Sequence, residues 1–99
     1  MVKVIWTDSA IQDLHDIGKY ISNDSPKYAK LTVSSLIDAT SILINHPKAG
    51  KMVPEFDLQS FRELIWGSYR IVYKIVDYER IDILTVHHSA RSIRNILKF

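Results

Sequence analysis

The sequence predicts an α+β fold of order β-α-α-β-β-β, in which a helical hairpin packs on one face of an antiparallel sheet and a short basic segment ends the chain. Three observations predict it. Between residues 69 and 76, six of eight side chains are β-branched or aromatic, the composition of a buried central strand. Breaks at Gly67-Ser68 and at residues 77–80 divide the C-terminal half into three runs, 61–66, 69–76 and 81–88, that close as an antiparallel meander. Upstream, two stretches carry apolar residues at helical spacing.

Taken in order, Val2, Val4 and Trp6 alternate with Lys3 between them and read as a short first strand. Thr7 or Asp8 then caps a helix over residues 8–22, with Ala10, Leu14, Ile17 and Ile21 on one side and Gln12, Asp13, His15, Asp16 and Lys19 on the other. Gly18 inside it costs about 1 kcal/mol relative to Ala, which close packing on the next helix would justify. Ser25-Pro26 supplies an N-cap followed by proline at the first helical position, and a second helix over 26–45 keeps an apolar stripe through Ala29, Val33, Leu36, Ile37, Thr40, Leu43 and Ile44. Asn45-His46-Pro47 stops it. Residues 47–60 lack periodicity but hold Met52, Val53 and Phe56, and read as an ordered loop, long for a domain of this size.

Ninety-nine residues make a single domain, 1–99, long enough to bury roughly 60–70% of the unfolded chain's surface without a staple. There is no cysteine, so a disulfide framework or thiolate metal site is excluded, and a cytoplasmic location is expected. No apolar run approaches the roughly 18 residues of a membrane span. The net charge of +2 lies in the second half, and residues 91–99 contribute Arg91, Arg94 and Lys98 with no acid.

The two turns fix a strand register. One face then carries Leu64, Trp66, Tyr69, Ile71, Tyr73, Leu84 and Val86, with Arg62 and His88 at its rim, and is the core face beneath the helices. The other carries Phe61, Glu63, Ile65, Arg70, Val72, Lys74, Ile83, Thr85 and His87. Arg70 lies opposite His87, and Glu63 lies diagonal to Arg70 and Lys74. Converging charges on a half-apolar face mark it as a functional surface, although a Glu63–Arg70 ion pair would explain both residues structurally. His87 and His88 face opposite ways and cannot share one ion, so no metal site is expected, and nothing calls for a cofactor.

An early aromatic followed by Ala10-x-x-Asp13-Leu14 and Ile17-x-x-Tyr20-Ile21 resembles the opening of the RelE/ParE family of toxins from type II toxin–antitoxin systems. So do Pro47-x-x-Gly50, Val53-Pro54-Glu55, Arg62-Glu63-Leu64, Tyr69-Arg70-Ile71-Val72-Tyr73, and Val86-His87-His88 with Arg91. The resemblance spans the chain, through the order and spacing of its motifs. It implies a RelE/ParE-like fold, a cognate antitoxin that assembles with the toxin, and one of two activities. One branch cleaves messenger RNA on the ribosome; the ParE-like branch poisons DNA gyrase.

RNases of the RelE mould place lysines on the strand before Tyr-Arg and a tyrosine near the C-terminus, whereas this chain has Phe61 and Glu63 there and no tyrosine after His88. A second RNase mould would use Glu55 as base, Arg70 to stabilise the phosphorane charge and His87 or His88 as acid. The departures put gyrase inhibition first, with ribosome-dependent mRNA cleavage, or an inactive member serving only as antitoxin-binding or repressor component, as alternatives. The expected antitoxin- and target-binding surface comprises Glu63, Ile65, Arg70, Val72, Lys74, Ile83, His87, Arg91, Arg94 and Lys98.

Overall fold

The computed structural model describes residues 1–89. Strand β1 (Lys3–Trp6) leads into helices α1 (Asp8–Ser22) and α2 (Pro26–Ala39), followed by β2 (Lys51–Met52), β3 (Phe61–Trp66), β4 (Tyr69–Ile75) and β5 (Arg80–His88). The strands form one sheet in the order β1-β5-β4-β3-β2, which puts β4 at its centre. The meander is antiparallel, as the turns require. β1 pairs parallel to β5, Lys3 with Arg80 through Trp6 with Ile83, so the five-stranded sheet is mixed.

Both helix starts follow from their caps. The Thr7 hydroxyl accepts the Ala10 N–H at 3.2 Å and donates to the Ile83 carbonyl at 2.7 Å, fastening the head of α1 to the sheet. Ser25 caps α2 through the Tyr28 N–H at 3.1 Å, with Pro26 in the first turn. The α-helix expected to reach residue 45 ends at Ala39, and Thr40–Ile44 tightens into a 3₁₀ turn. The Thr40 hydroxyl donates to the Ile37 carbonyl at 2.8 Å, and the turn delivers Leu43 fully into the core.

The helical hairpin covers the face bearing Ile71 and Tyr73, as the register required. Ala10 and Leu14 of α1, Leu36 of α2 and Leu43 form one cluster with Ile71, Tyr73, Ile81, Ile83 and Val86. Ile83 is a correction. The rungs Tyr69–His88 through Val72–Thr85 fall where the turns put them, but the pairing slips between Val72 and Tyr73 and sets Tyr73 opposite Ile83. A β-bulge of one residue exchanges the faces beyond it. Ile83, expected on the Arg70 face, is 0% exposed in the main core, and Leu84, expected in that core, packs with Val53, Phe61 and Val72 on the other side.

Those last residues are a second, smaller core. The stretch between β2 and β3 folds back over the sheet face that the helices leave uncovered. Its turn is closed by the Val53 carbonyl, which accepts the Phe56 and Asp57 N–H groups at 3.1 and 3.2 Å. Asp57 supplies the left-handed backbone (φ 51°) that this reversal needs, a conformation Asp tolerates better than most residues. Arg62 ties the loop at both ends, donating to the Gly50 carbonyl at 2.8 Å and to the carbonyl and side-chain oxygens of Gln59 at 3.1 and 2.7 Å.

Candidate functional site

Arg70 sits on the central strand between Ile65 of β3 and His87 of β5, on the face away from the helices. Glu63, paired with Val72, shares that face, because side chains two apart along a strand point the same way. The geometry places Glu63 diagonal to Arg70, and the two form an ion pair in which Nε donates to Oε2 at 2.6 Å and Nη2 meets the same oxygen. The folded-back loop brings a second carboxylate. Glu55 receives Nη1 and Nη2 at 3.1 Å each, a bidentate clamp on the outer edge of the guanidinium. Lys51 of β2 completes the array at 3.6 Å from Glu63 Oε1.

Two cations and two anions therefore alternate as Lys51, Glu63, Arg70 and Glu55 on one sheet face. Arg70 is 8% exposed and Glu63 4%. The hydrogen bonds it donates to Glu55 are the chief reason the guanidinium is held charged even more firmly than an ordinary arginine; burial works against it, and Glu63 reinforces it. An arginine in this state cannot move a proton. Its capacity to stabilise an incoming negative charge is already satisfied by two carboxylates.

Of the four residues a nuclease reading would use, two touch and a third is their ladder neighbour. Glu55 touches Arg70, and buried His87 lies directly across the ladder. His88 is one rung on, exposed, with its ring edge-on to Tyr69 at a centroid distance of 6.0 Å. The expected binding surface is altered more. Glu63, Arg70, Val72 and His87 are buried and Ile83 belongs to the main core, while Ile65 is 53% exposed and Lys74 half-buried, its Nζ 5.5 Å over the Phe61 ring. Arg91, Arg94 and Lys98 lie outside the described residues. No three histidine or acidic side chains gather as a metal site would need, among the described residues.

Two supports of this region escaped the sequence reading. Asp13, assigned by helical periodicity to the solvent side, accepts the Thr85 hydroxyl at 2.7 Å and the Val86 N–H at 3.0 Å. β1 pairs with β5 only as far as Ile83, so the Val86 amide just past that point takes a side chain in place of a strand. Tyr73, kept neutral to higher pH than a free tyrosine chiefly by burial, donates its hydroxyl to the Pro47 carbonyl at 2.7 Å and accepts the Gly50 N–H at 3.0 Å. A Cβ at Gly50 would strike the Glu63 carbonyl and the Tyr73 ring. Pro47-x-x-Gly50 is thus the seat on which the loop and the ion array rest, and its only sequence signal was the glycine three residues after a proline.

Residues 4–93 match the family model described as ParE toxin of type II toxin–antitoxin system, parDE. Over 97 residues, 96% of each chain, the sequence is 31% identical to a candidate toxin, Y4kP, of Sinorhizobium fredii. It is 32% identical over 92 residues to the toxin RelE2 of Caulobacter vibrioides, covering 92% of this chain and 99% of that one. Among solved structures, the fold is similar to a chain of the chromosomal ParDE system of P. aeruginosa, with a TM-score of 0.71 and 22% identity over 89% of this chain and 96% of that one. It is also similar to a chain of the toxin–antitoxin complex RelBE2 of Mycobacterium tuberculosis, with a TM-score of 0.62 and 26% identity over 88% and 96%. The ion array, the hairpin and the mixed sheet therefore belong to a toxin of the ParE/RelE superfamily, and the chain is a member of the ParE toxin family of type II toxin–antitoxin systems.

Proposed function

We propose that this toxin inhibits DNA gyrase by binding, without making or breaking a bond itself, and that a cognate antitoxin neutralises it in the cytoplasm. The observation that carries the reading is the state of Arg70. Both carboxylates within its reach among the described residues are engaged on it, Glu55 through two hydrogen bonds, so neither is free to serve as a base. Phe61 and Glu63 occupy the strand where the RelE-type mould has lysines, and Glu63 adds negative charge where an RNA phosphate would have to approach. An antitoxin partner is supported by the two solved neighbours, one from a ParDE system and one from a RelBE2 complex.

A ribosome-dependent RNase is the second reading, favoured by the Glu55–Arg70 contact with His87 on the adjoining rung and by the likeness to RelE2. Induction of the chain in a bacterium lacking the antitoxin separates the two. Double-strand breaks and DNA-damage signalling with continuing translation are expected; immediate translation arrest with cut messenger RNA would establish the nuclease. Co-expression with the product of the neighbouring reading frame should raise thermal stability, by about 2.7 kcal/mol when the partner stands at 100 times its Kd. Failure of that product to bind at micromolar concentration would remove the antitoxin from the proposal.

A further inference from the structure

The loop between β2 and β3 meets the sheet as a bound peptide would. Val53 and Glu55, two residues apart, both face it: Val53 is fully buried with Val72 and Phe61, and Glu55 clamps Arg70. Pro54 between them is exposed, and Phe56 sits edge-on against Phe61 with ring centroids 5.2 Å apart. The segment's two ends continue the neighbouring ladders, the Val53 N–H donating to the Phe61 carbonyl at 3.0 Å and the Ser60 carbonyl accepting the Ile75 N–H at 2.8 Å, while residues 54–59 between them are held by side-chain contacts and single turns.

We infer that this loop is an internal pseudo-ligand, occupying a site on the outer sheet face that accepts an extended peptide segment of a partner protein with a carboxylate flanked by apolar side chains. The two carboxylates on Arg70 differ in how readily they can be exchanged. Glu63 belongs to a strand, its side chain is 3% exposed, and its bond to Nε is 2.6 Å; Glu55 belongs to the loop, its side chain is 25% exposed, and its bonds are 3.1 Å. If Glu55 leaves, Lys51 and Arg70 face Glu63 alone, and the vacated position carries one net positive charge. That charge draws a second anion.

The apolar neighbours decide what kind of anion. Departure of the loop uncovers Val72 and Phe61, and a phosphate group offers nothing to cover them, whereas a peptide repeating the loop's own order of apolar residue, carboxylate and aromatic does. The loop competes from within the same molecule, at an effective concentration on the order of millimolar, so an external segment gains access only as this contact is weakened or outbid.

The test uses the full chain labelled for NMR and a blocked pentapeptide of sequence Val-Pro-Glu-Phe-Asp. In Glu55→Gln, amide exchange at Phe56, Asp57 and Phe61 should rise about 10-fold or more relative to wild type, from loss of charge-assisted bonds, while amides of the main core on β4 stay unchanged. The peptide should then bind Glu55→Gln about 10-fold more tightly than wild type and shift the Val72 amide, and a peptide with Gln for Glu should lose that gain. Pro54→Gly, which loosens the loop but keeps the carboxylate, should show a smaller rise in exchange and binding in the same order. Equal acceleration of core and loop amides would overturn the inference, as would peptide binding indifferent to both substitutions. Inorganic phosphate binding as well as the peptide would overturn it too, by showing an anion site without a peptide site.

Discussion

The two faces of the sheet are closed by different physics. Beneath the helices, Leu14, Leu36, Leu43 and Ile71 exclude water with apolar surface, and the closure rests on side-chain fit, with neutral and Asp13 hydrogen bonds at the edge of α1. On the far face a loop without regular structure is fastened by charge: Arg70 to Glu55 and Glu63, Lys51 to Glu63, with Val53, Phe61 and Val72 as a small apolar floor. Apolar closure fails by degrees, losing stability in proportion to the surface removed and the cavity left, because neighbours relax only partly. Ionic closure is all-or-none, because a buried charge that loses its partner has no water to turn to.

Removing Arg70 should therefore do the greatest damage. Arg70→Ala leaves Glu63 buried with Lys51 as its remaining ion-pair partner among the described residues and is expected to lower unfolding free energy by about 3–5 kcal/mol, read by urea denaturation. Replacing Arg70 and Glu63 together by Leu should restore most of that loss. If the double variant is as unstable as the single one, charge is not what closes this face. Leu36→Ala, on the helical side, should cost about 2–5 kcal/mol with no comparable rescue from a second change.

The contrast also explains what was legible in the residues. β4 announced itself because a strand buried on both faces needs β-branched and aromatic side chains, and Ile71, Val72 and Tyr73 supply them in succession. The Arg70–His87 rung and the diagonal Glu63 followed from turn lengths. Ile83 and Leu84 were misassigned because both are apolar and adjacent, so nothing in the local pattern reports which of them the bulge displaces. The parallel pairing of β1 was hidden because four residues carry no mark of their partner strand. Glu55 could be named as a candidate from its motif, but not as a clamp, since an aperiodic loop with a left-handed Asp57 gives no sign of where it folds.

Tyr73 belongs to both faces, with its ring in the main core and its hydroxyl under the loop. Tyr73→Phe strands the Gly50 N–H and should cost about 1–3 kcal/mol. Because burial raises its pKa, the phenol's contribution is full below the ordinary tyrosine value near 10 and declines as pH rises through and beyond it, where the unfolded chain ionises first. An alkaline loss of stability present in the wild type should shrink in Tyr73→Phe. An unchanged pH profile would place the hydroxyl in water.

The smallest effect is expected at Lys51, whose side chain is 67% exposed at 3.6 Å from Glu63. Lys51→Ala should alter stability by less than about 1 kcal/mol, and less still in high salt. A loss as large as that of Arg70→Ala would mean that the array acts as one indivisible unit.

If, as proposed, Arg70 and its carboxylates hold structure and take no part in chemistry, the purified toxin is expected to act on gyrase and leave RNA whole. The direct measurement incubates it in parallel with gyrase, ATP and relaxed plasmid, and with ribosomes programmed with messenger RNA. Blocked supercoiling at near-stoichiometric toxin, with intact message on the ribosomes, is the expected result; cleaved message with gyrase unaffected would contradict it.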